Sequence, residues 1–167
     1  IDLNHPTGNT AIVLGANFSD PIGSIGLISL TAPRTATPKI QSTHSDAIVR
    51  SFANRLYVVN RLGGDNIQVV DPGQGFAVTK QFSVGRGTNP HDIIVTQPTK
   101  AYVTLYQPED NRTSSLTVDD LLVVNPQSGE ILKMIDLTSS TTDDGERFAR
   151  ASRMVIVGDR IFVAIQD

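Results

Sequence analysis

The 167-residue chain contains no cysteine and no tryptophan. Without thiols it forms no disulfide, no thiolate metal centre, no cysteine nucleophile and no thioether-linked haem. Long apolar runs are missing as well: no stretch approaches the roughly 20 residues of a membrane-spanning helix, and no basic-then-apolar signal segment is recognised. No transmembrane segment is therefore expected in these residues. Nor is there a surplus of positive charge. Against 17 acidic residues stand 14 basic ones, for a net charge of -3. The arginines and lysines are scattered, so no cluster can neutralise phosphates, and nucleic acid is not an expected partner. A 3.6-residue apolar period, the mark of an amphipathic helix, is also lacking. So are a serine nucleophile elbow and a phosphate-cradling loop; Gly85-Arg86-Gly87 opens like a dinucleotide fingerprint but places Pro90 where the third glycine belongs. The first residue is isoleucine rather than methionine, from which we expect a processed product or a piece of something longer.

What the chain does have is 39% hydrophobic and 19% charged residues, the composition of a globular protein with a core. Its apolar residues fall in short runs: Ala11–Gly15, Ile25–Leu30, Ala47–Val49, Leu56–Asn60, Ile67–Asp71, Val78–Val84, Asp92–Thr96, Ala101–Leu105, Leu121–Asn125, Glu130–Leu137, Met154–Val157 and Ile161–Ile165. Closely spaced runs punctuated by Gly, Pro, Asn and Asp predict an all-β fold. Leu56-Tyr57-Val58-Val59 and Leu121-Leu122-Val123-Val124 are apolar at successive positions. Both faces of those strands should therefore be covered, as happens when small antiparallel sheets stack side by side around an axis.

The runs also repeat. Ile25-Gly26-Leu27-Ile28-Ser29, Ile67-Gln68-Val69-Val70-Asp71 and Leu121-Leu122-Val123-Val124-Asn125 are copies of one unit. One interval between them has the usual blade length of about 40 to 45 residues, and the other is longer. The excess lies in Gln107–Ser115, where the preceding unit has only Arg61-Leu62-Gly63-Gly64. Two copies share a turn, Asp71-Pro72-Gly73-Gln74-Gly75 and Asn125-Pro126-Gln127-Ser128-Gly129. In such a turn Asp or Asn accepts backbone hydrogen bonds, Pro presets φ and Gly supplies a positive φ. The first unit has Leu30-Thr31-Ala32-Pro33-Arg34 instead and is the least regular.

Leu56-Tyr57-Val58-Val59-Asn60 and Ala101-Tyr102-Val103-Thr104, each leading to its third strand, resemble the YVTN family of β-propellers. Ala11-Ile12-Val13-Leu14-Gly15 and Ile161-Phe162-Val163-Ala164 match that pattern without the tyrosine. The absence of tryptophan argues against the WD-repeat version of the fold. The resemblance implies a β-propeller of four-stranded antiparallel blades. The chain would open at the end of an inner strand, Ile1-Asp2-Leu3, and run through blades at about 1–42, 43–87, 88–138 and 139–167, the first and last incomplete. Such a ring is not closed. The expected partners are therefore the remaining propeller blades, in an unseen segment or another chain, or a separate protein. The family is mostly bacterial and archaeal and commonly extracytoplasmic: periplasmic, cell-surface or secreted. It implies a non-catalytic protein-binding or structural scaffold. The alternative is a propeller enzyme or enzyme subunit, lactonase-like or like the heavy subunit of a periplasmic dehydrogenase, with its site at the channel mouth.

In this fold the connections entering the inner strands and those between second and third strands share one face, the usual docking surface. That face would carry His44 and Asp46, His91 and Asp92, and Arg150 at the corresponding place in the last unit. Two histidines at equivalent positions could converge as metal ligands or as an acid-base pair, or could simply hydrogen-bond and shape their loops. The long loops add Glu109, Asp110, Arg112, Asp119 and Asp120, and separately Asp143, Asp144 and Glu146. No cofactor is predicted. Clustered carboxylates with a glycine suit Ca²⁺, but no EF-hand or RTX spacing is present; a solvated loop is the preferred reading over a calcium site, and partner contact the preferred role for loops on a rigid scaffold. His5 should lie on the opposite face. Asn17-Phe18-Ser19 and Asn111-Arg112-Thr113 fit the glycosylation pattern, which chance readily supplies.

Overall fold

A strand that is apolar at every position has no face to give to water. The folded chain answers this by covering such strands on both sides. The computed structural model describes residues 9–17, 19–107, 120–142 and 148–166. It is all-β, with four antiparallel sheets. The first holds β1 (Thr10–Gly15), β2 (Ile22–Ser29) and β3 (Ala36–His44). The second holds β4 (Ala47–Phe52), β5 (Arg55–Asn60), β6 (Asn66–Asp71) and β7 (Ala77–Ser83). The third holds β8 (Pro90–Gln97), β9 (Lys100–Leu105), β10 (Leu121–Asn125) and β11 (Glu130–Ile135), and the last β12 (Met154–Val157) and β13 (Arg160–Val163). Within each sheet every strand pairs with its neighbour in sequence. Among the described residues the helical segments are single 3-10 turns at Pro72–Gln74 and Thr138–Ser140.

Strand β5 shows how two-sided burial arises. Successive side chains point to opposite faces of a strand. Leu56 and Val58 thus join Val70 and the first sheet's Ile25 in one buried cluster. Tyr57 and Val59 join Ile67, Val69 and Phe82 with Ile93, Val103 and Leu122 of the third sheet in another. Full burial of such a side chain stabilises by about 1.5–3 kcal/mol, so each sheet is held chiefly through the faces of its neighbours. The first strands of successive sheets meet, β4 against β8 and β8 against β12. One aromatic position records the stacking. Tyr57 is buried beneath the third sheet, Tyr102 is half-buried beside the two-stranded sheet, and Phe162, facing outward from β13, is 53% exposed.

The repeated turns form as their residues dictate. Asp71 Oδ1 accepts the Gly73 N–H at 2.8 Å, and Asn125 Oδ1 accepts the Gln127 N–H at 3.0 Å. Gly75 and Gly129 close the turns at φ 64° and 81°. Gly129 has a second reason to lack a side chain, because a Cβ there would lie 2.6 Å from Cβ of Phe82 in the neighbouring sheet.

One strand has no counterpart among the apolar runs of the sequence. Strand β3 is largely exposed and contains Pro38 and Lys39. It is an edge strand, where proline is tolerated because one side of the backbone needs no partner. The outer strand of each larger sheet carries a bulge. Thr79 lies between the residues paired with Val69 and Val70, Leu132 between those paired with Val123 and Val124, and β3 spends extra residues around Lys39.

Candidate functional site

The connection between two stacked sheets must bury polar backbone, and buried N–H groups need acceptors. Aspartates supply them. Asp65, just before β6, accepts the N–H groups of Gly87 and Asn89 at 2.8 and 2.9 Å. Asp120, just before β10, accepts those of Leu137 and Ala149 at 2.9 and 3.0 Å. Each carboxylate ties the chain leaving its own sheet as it approaches the next. Asp120, considered above within an acidic loop, is thus an internal staple.

Asp92 does the same at the junction of three sheets. It lies in β8, is fully buried, and receives Arg50 Nε and Nη2 from β4 at 2.7 and 2.8 Å. Its own strand contributes the Ile93 N–H at 2.9 Å and β12 the Met154 N–H at 2.9 Å. Two donors per carboxylate oxygen fill its acceptor capacity. A metal ion or a transferred proton would have to displace one of them.

His91, the preceding residue, is engaged from three directions. Its ring stacks on Tyr106 with centroids 4.2 Å apart and planes within 6° of parallel. Nε2 lies 2.9 Å from Arg61 Nη2, and Nδ1 lies 3.4 Å from Ser152 Oγ. A guanidinium has only donors, so Nε2 is the unprotonated nitrogen and Nδ1 carries the proton toward Ser152. Burial first, then the charges of Arg61 and Arg153, push the imidazole down to about 4, with Asp46 and Asp92 opposing. His91 is therefore neutral at pH 7, and its lone pair is already taken. Around it Arg61 Nη1 reaches Asp46 Oδ1 at 3.4 Å, Arg153 Nη1 donates to the His91 carbonyl at 3.3 Å, and the Tyr106 hydroxyl donates to Gln166 Oε1 at 2.8 Å.

His44 ends β3, and its Nδ1 accepts the Asp46 N–H at 3.2 Å, so the ring shapes the bend into β4. Asp46 thereby stands between the histidines, its backbone on His44 and its carboxylate on Arg61. Arg150 is half-buried in the segment before β12, at φ 43°. The structure thus gathers His44, Asp46, His91 and Asp92 along one end of β4 and β8. Two of them, His91 and Asp92, sit in the opening residues of a strand rather than in the connection before it. Glu109, Asp110, Arg112, Asp119, Asp143, Asp144 and Glu146 lie outside the described residues, as do His5, Phe18 and Asn111. Among the described residues no three His, Asp or Glu side chains gather as a metal site, and no helix is long and apolar enough to cross a membrane.

Arg61, Tyr106 and Ser152 complete the cluster without having stood out in the sequence. Arg61 and Tyr106 each follow directly on the second strand of a four-stranded sheet, β5 and β9, and that equivalence is the signal that could have found them. Side chains open to solvent here include Asp46 and Arg61, 33% and 25% exposed, together with exposed Arg50, Arg153 and Gln166. No family model matches the chain, and no curated protein is similar enough to count as a relative.

Proposed function

We propose that the chain is a segment of a β-propeller of the YVTN type and works as a non-catalytic, extracytoplasmic binding or structural scaffold. The repeated four-stranded meander, the covering of both strand faces and the shared turn chemistry support the fold. The extracytoplasmic placement rests on the resemblance of the strands. The remaining blades cover the outward face of the two-stranded sheet, where Val155, Val157 and Phe162 are each more than half exposed. A partner protein meets the end that carries Asp46, Arg61 and Arg153, whose exposed charges suit a polar interface rim.

One observation carries the non-catalytic reading. The two residues best placed for chemistry, His91 and Asp92, have their acceptor atoms occupied by the chain's own donors. Rigid scaffolds carry function on loops, and here the groups that could react hold the loops in place. The test is metal analysis of the intact protein together with an assay of lactone hydrolysis. Less than stoichiometric metal and no turnover are expected. Stoichiometric metal with turnover that is lost in His91→Gln would replace the scaffold with an enzyme.

A further inference from the structure

We propose that His91 is an acid-sensitive latch, holding three sheets together while its ring is neutral and releasing them when the ring takes up a second proton. The argument begins with hydrogen-bond polarity. Arg61, from the second sheet, can only donate, so its 2.9 Å approach to Nε2 requires a lone pair on that nitrogen. The remaining ring proton is then directed at Ser152, in the segment leading to β12. One neutral imidazole on the third sheet thus joins its two neighbours through opposite edges of the ring, while Tyr106 fixes the ring plane.

Protonation removes this arrangement at its centre. Nε2–H would face an Arg61 N–H, and the imidazolium would lie between two cations, Arg61 just after β5 and Arg153 just before β12. The groups opposing that repulsion are Asp46, already paired with Arg61, and Asp92 on the same strand, already filled by Arg50, Ile93 and Met154. Asp92 cannot turn toward the ring without giving up a donor, and Asp46 offsets only part of the repulsion while it is paired with Arg61. Tyr106 presents its ring face, and its hydroxyl is bonded to Gln166.

The sign follows from proton counts. An unfolded chain binds a proton at His91 near the ordinary imidazole value of about 6.5, whereas the folded chain resists it down to about 4. Between those values the unfolded state holds more protons. The latch therefore contributes fully above the upper value, loses its contribution as the pH falls through the window, and has none left below the lower one. Within the window the unfolding constant should rise by up to about tenfold per pH unit from this group alone.

Two measurements on the whole chain test this. Urea unfolding of the wild type and of His91→Gln is compared between pH 7 and pH 4; the glutamine can still accept from Arg61 but cannot titrate. The wild type is expected to lose stability more steeply, by up to about two powers of ten in the unfolding constant over the window. Nitrogen chemical shifts of the His91 ring supply the second measurement, in which the wild type alone gives the tautomer and the midpoint. They should report the Nδ1–H tautomer, neutral at pH 5.5, and Arg61→Gln should raise the midpoint. An Nε2–H tautomer, a wild-type midpoint near 6.5, or equal pH slopes in the two proteins would overturn the proposal.

Discussion

At the scale of single residues, the decisive quantity is how many donors a buried acceptor serves. Asp92 takes four, from three sheets, and is fully buried, whereas its partner Arg50 is 44% exposed. Removing the carboxylate strands the Ile93 and Met154 N–H groups at about 1–3 kcal/mol each. Removing the arginine leaves Asp92 with two backbone donors and some access to water. Asp92→Ala should therefore destabilise the chain by about 3 kcal/mol or more, and Arg50→Ala by clearly less; urea denaturation midpoints for the pair decide it. Asp46–Arg61 is the contrasting case. That pair is part-exposed, and Asp46→Ala should cost no more than about 1 kcal/mol. Its loss also removes a charge that favours protonation of His91, so the ring midpoint should fall rather than rise in a titration followed by NMR.

At the scale of elements, turns and strands differ in how openly they are written. The Asp71 and Asn125 turns were legible because each residue type does one job there, and the structure shows those jobs done. Strand β3 was not, because an exposed edge strand with Pro38 and Lys39 has neither the apolar content nor the alternation that announces a strand. The two-sided strands were legible for the opposite reason, since continuous apolarity leaves few other placements. The histidine cluster was half legible. His44 and His91 are conspicuous as residue types, but the ring partners Arg61, Tyr106 and Ser152 become neighbours only through sheet stacking, which no local pattern encodes. The turns allow a paired test of local against tertiary constraint. Gly75 and Gly129 both have positive φ, but an added Cβ meets nothing within 4 Å at Gly75 and meets Phe82 at 2.6 Å at Gly129. Gly75→Ala should cost about 1 kcal/mol of backbone strain. Gly129→Ala adds a packing clash typically worth about 1–3 kcal/mol, and Phe82→Leu should not relieve it, because leucine keeps the Cβ and Cγ that the added methyl meets; thermal unfolding of the two glycine variants and of the Gly129→Ala/Phe82→Leu double variant distinguishes backbone strain from the clash.

For the molecule as a whole, coverage decides what each aromatic contributes. Tyr57, sealed under the third sheet, should cost roughly 3–5 kcal/mol when cut to alanine. Phe162, at the same place in its own strand pair, should change stability in this 167-residue chain by less than about 0.5 kcal/mol. If a further blade covers Phe162, as the proposed propeller requires, that small value should climb toward the Tyr57 value in a longer chain that carries the blade, and chemical denaturation of both contexts reads the difference. The bulges at Thr79, at Leu132 and around Lys39 bear on what such a molecule avoids. Each extra residue sits on the outermost strand of its sheet and breaks the regular spacing of free N–H and C=O groups along that rim. A foreign strand seeking to zip on from the side finds a template that is out of step after a few residues. Lateral pairing along that edge, the step that seeds fibrils, is thereby frustrated.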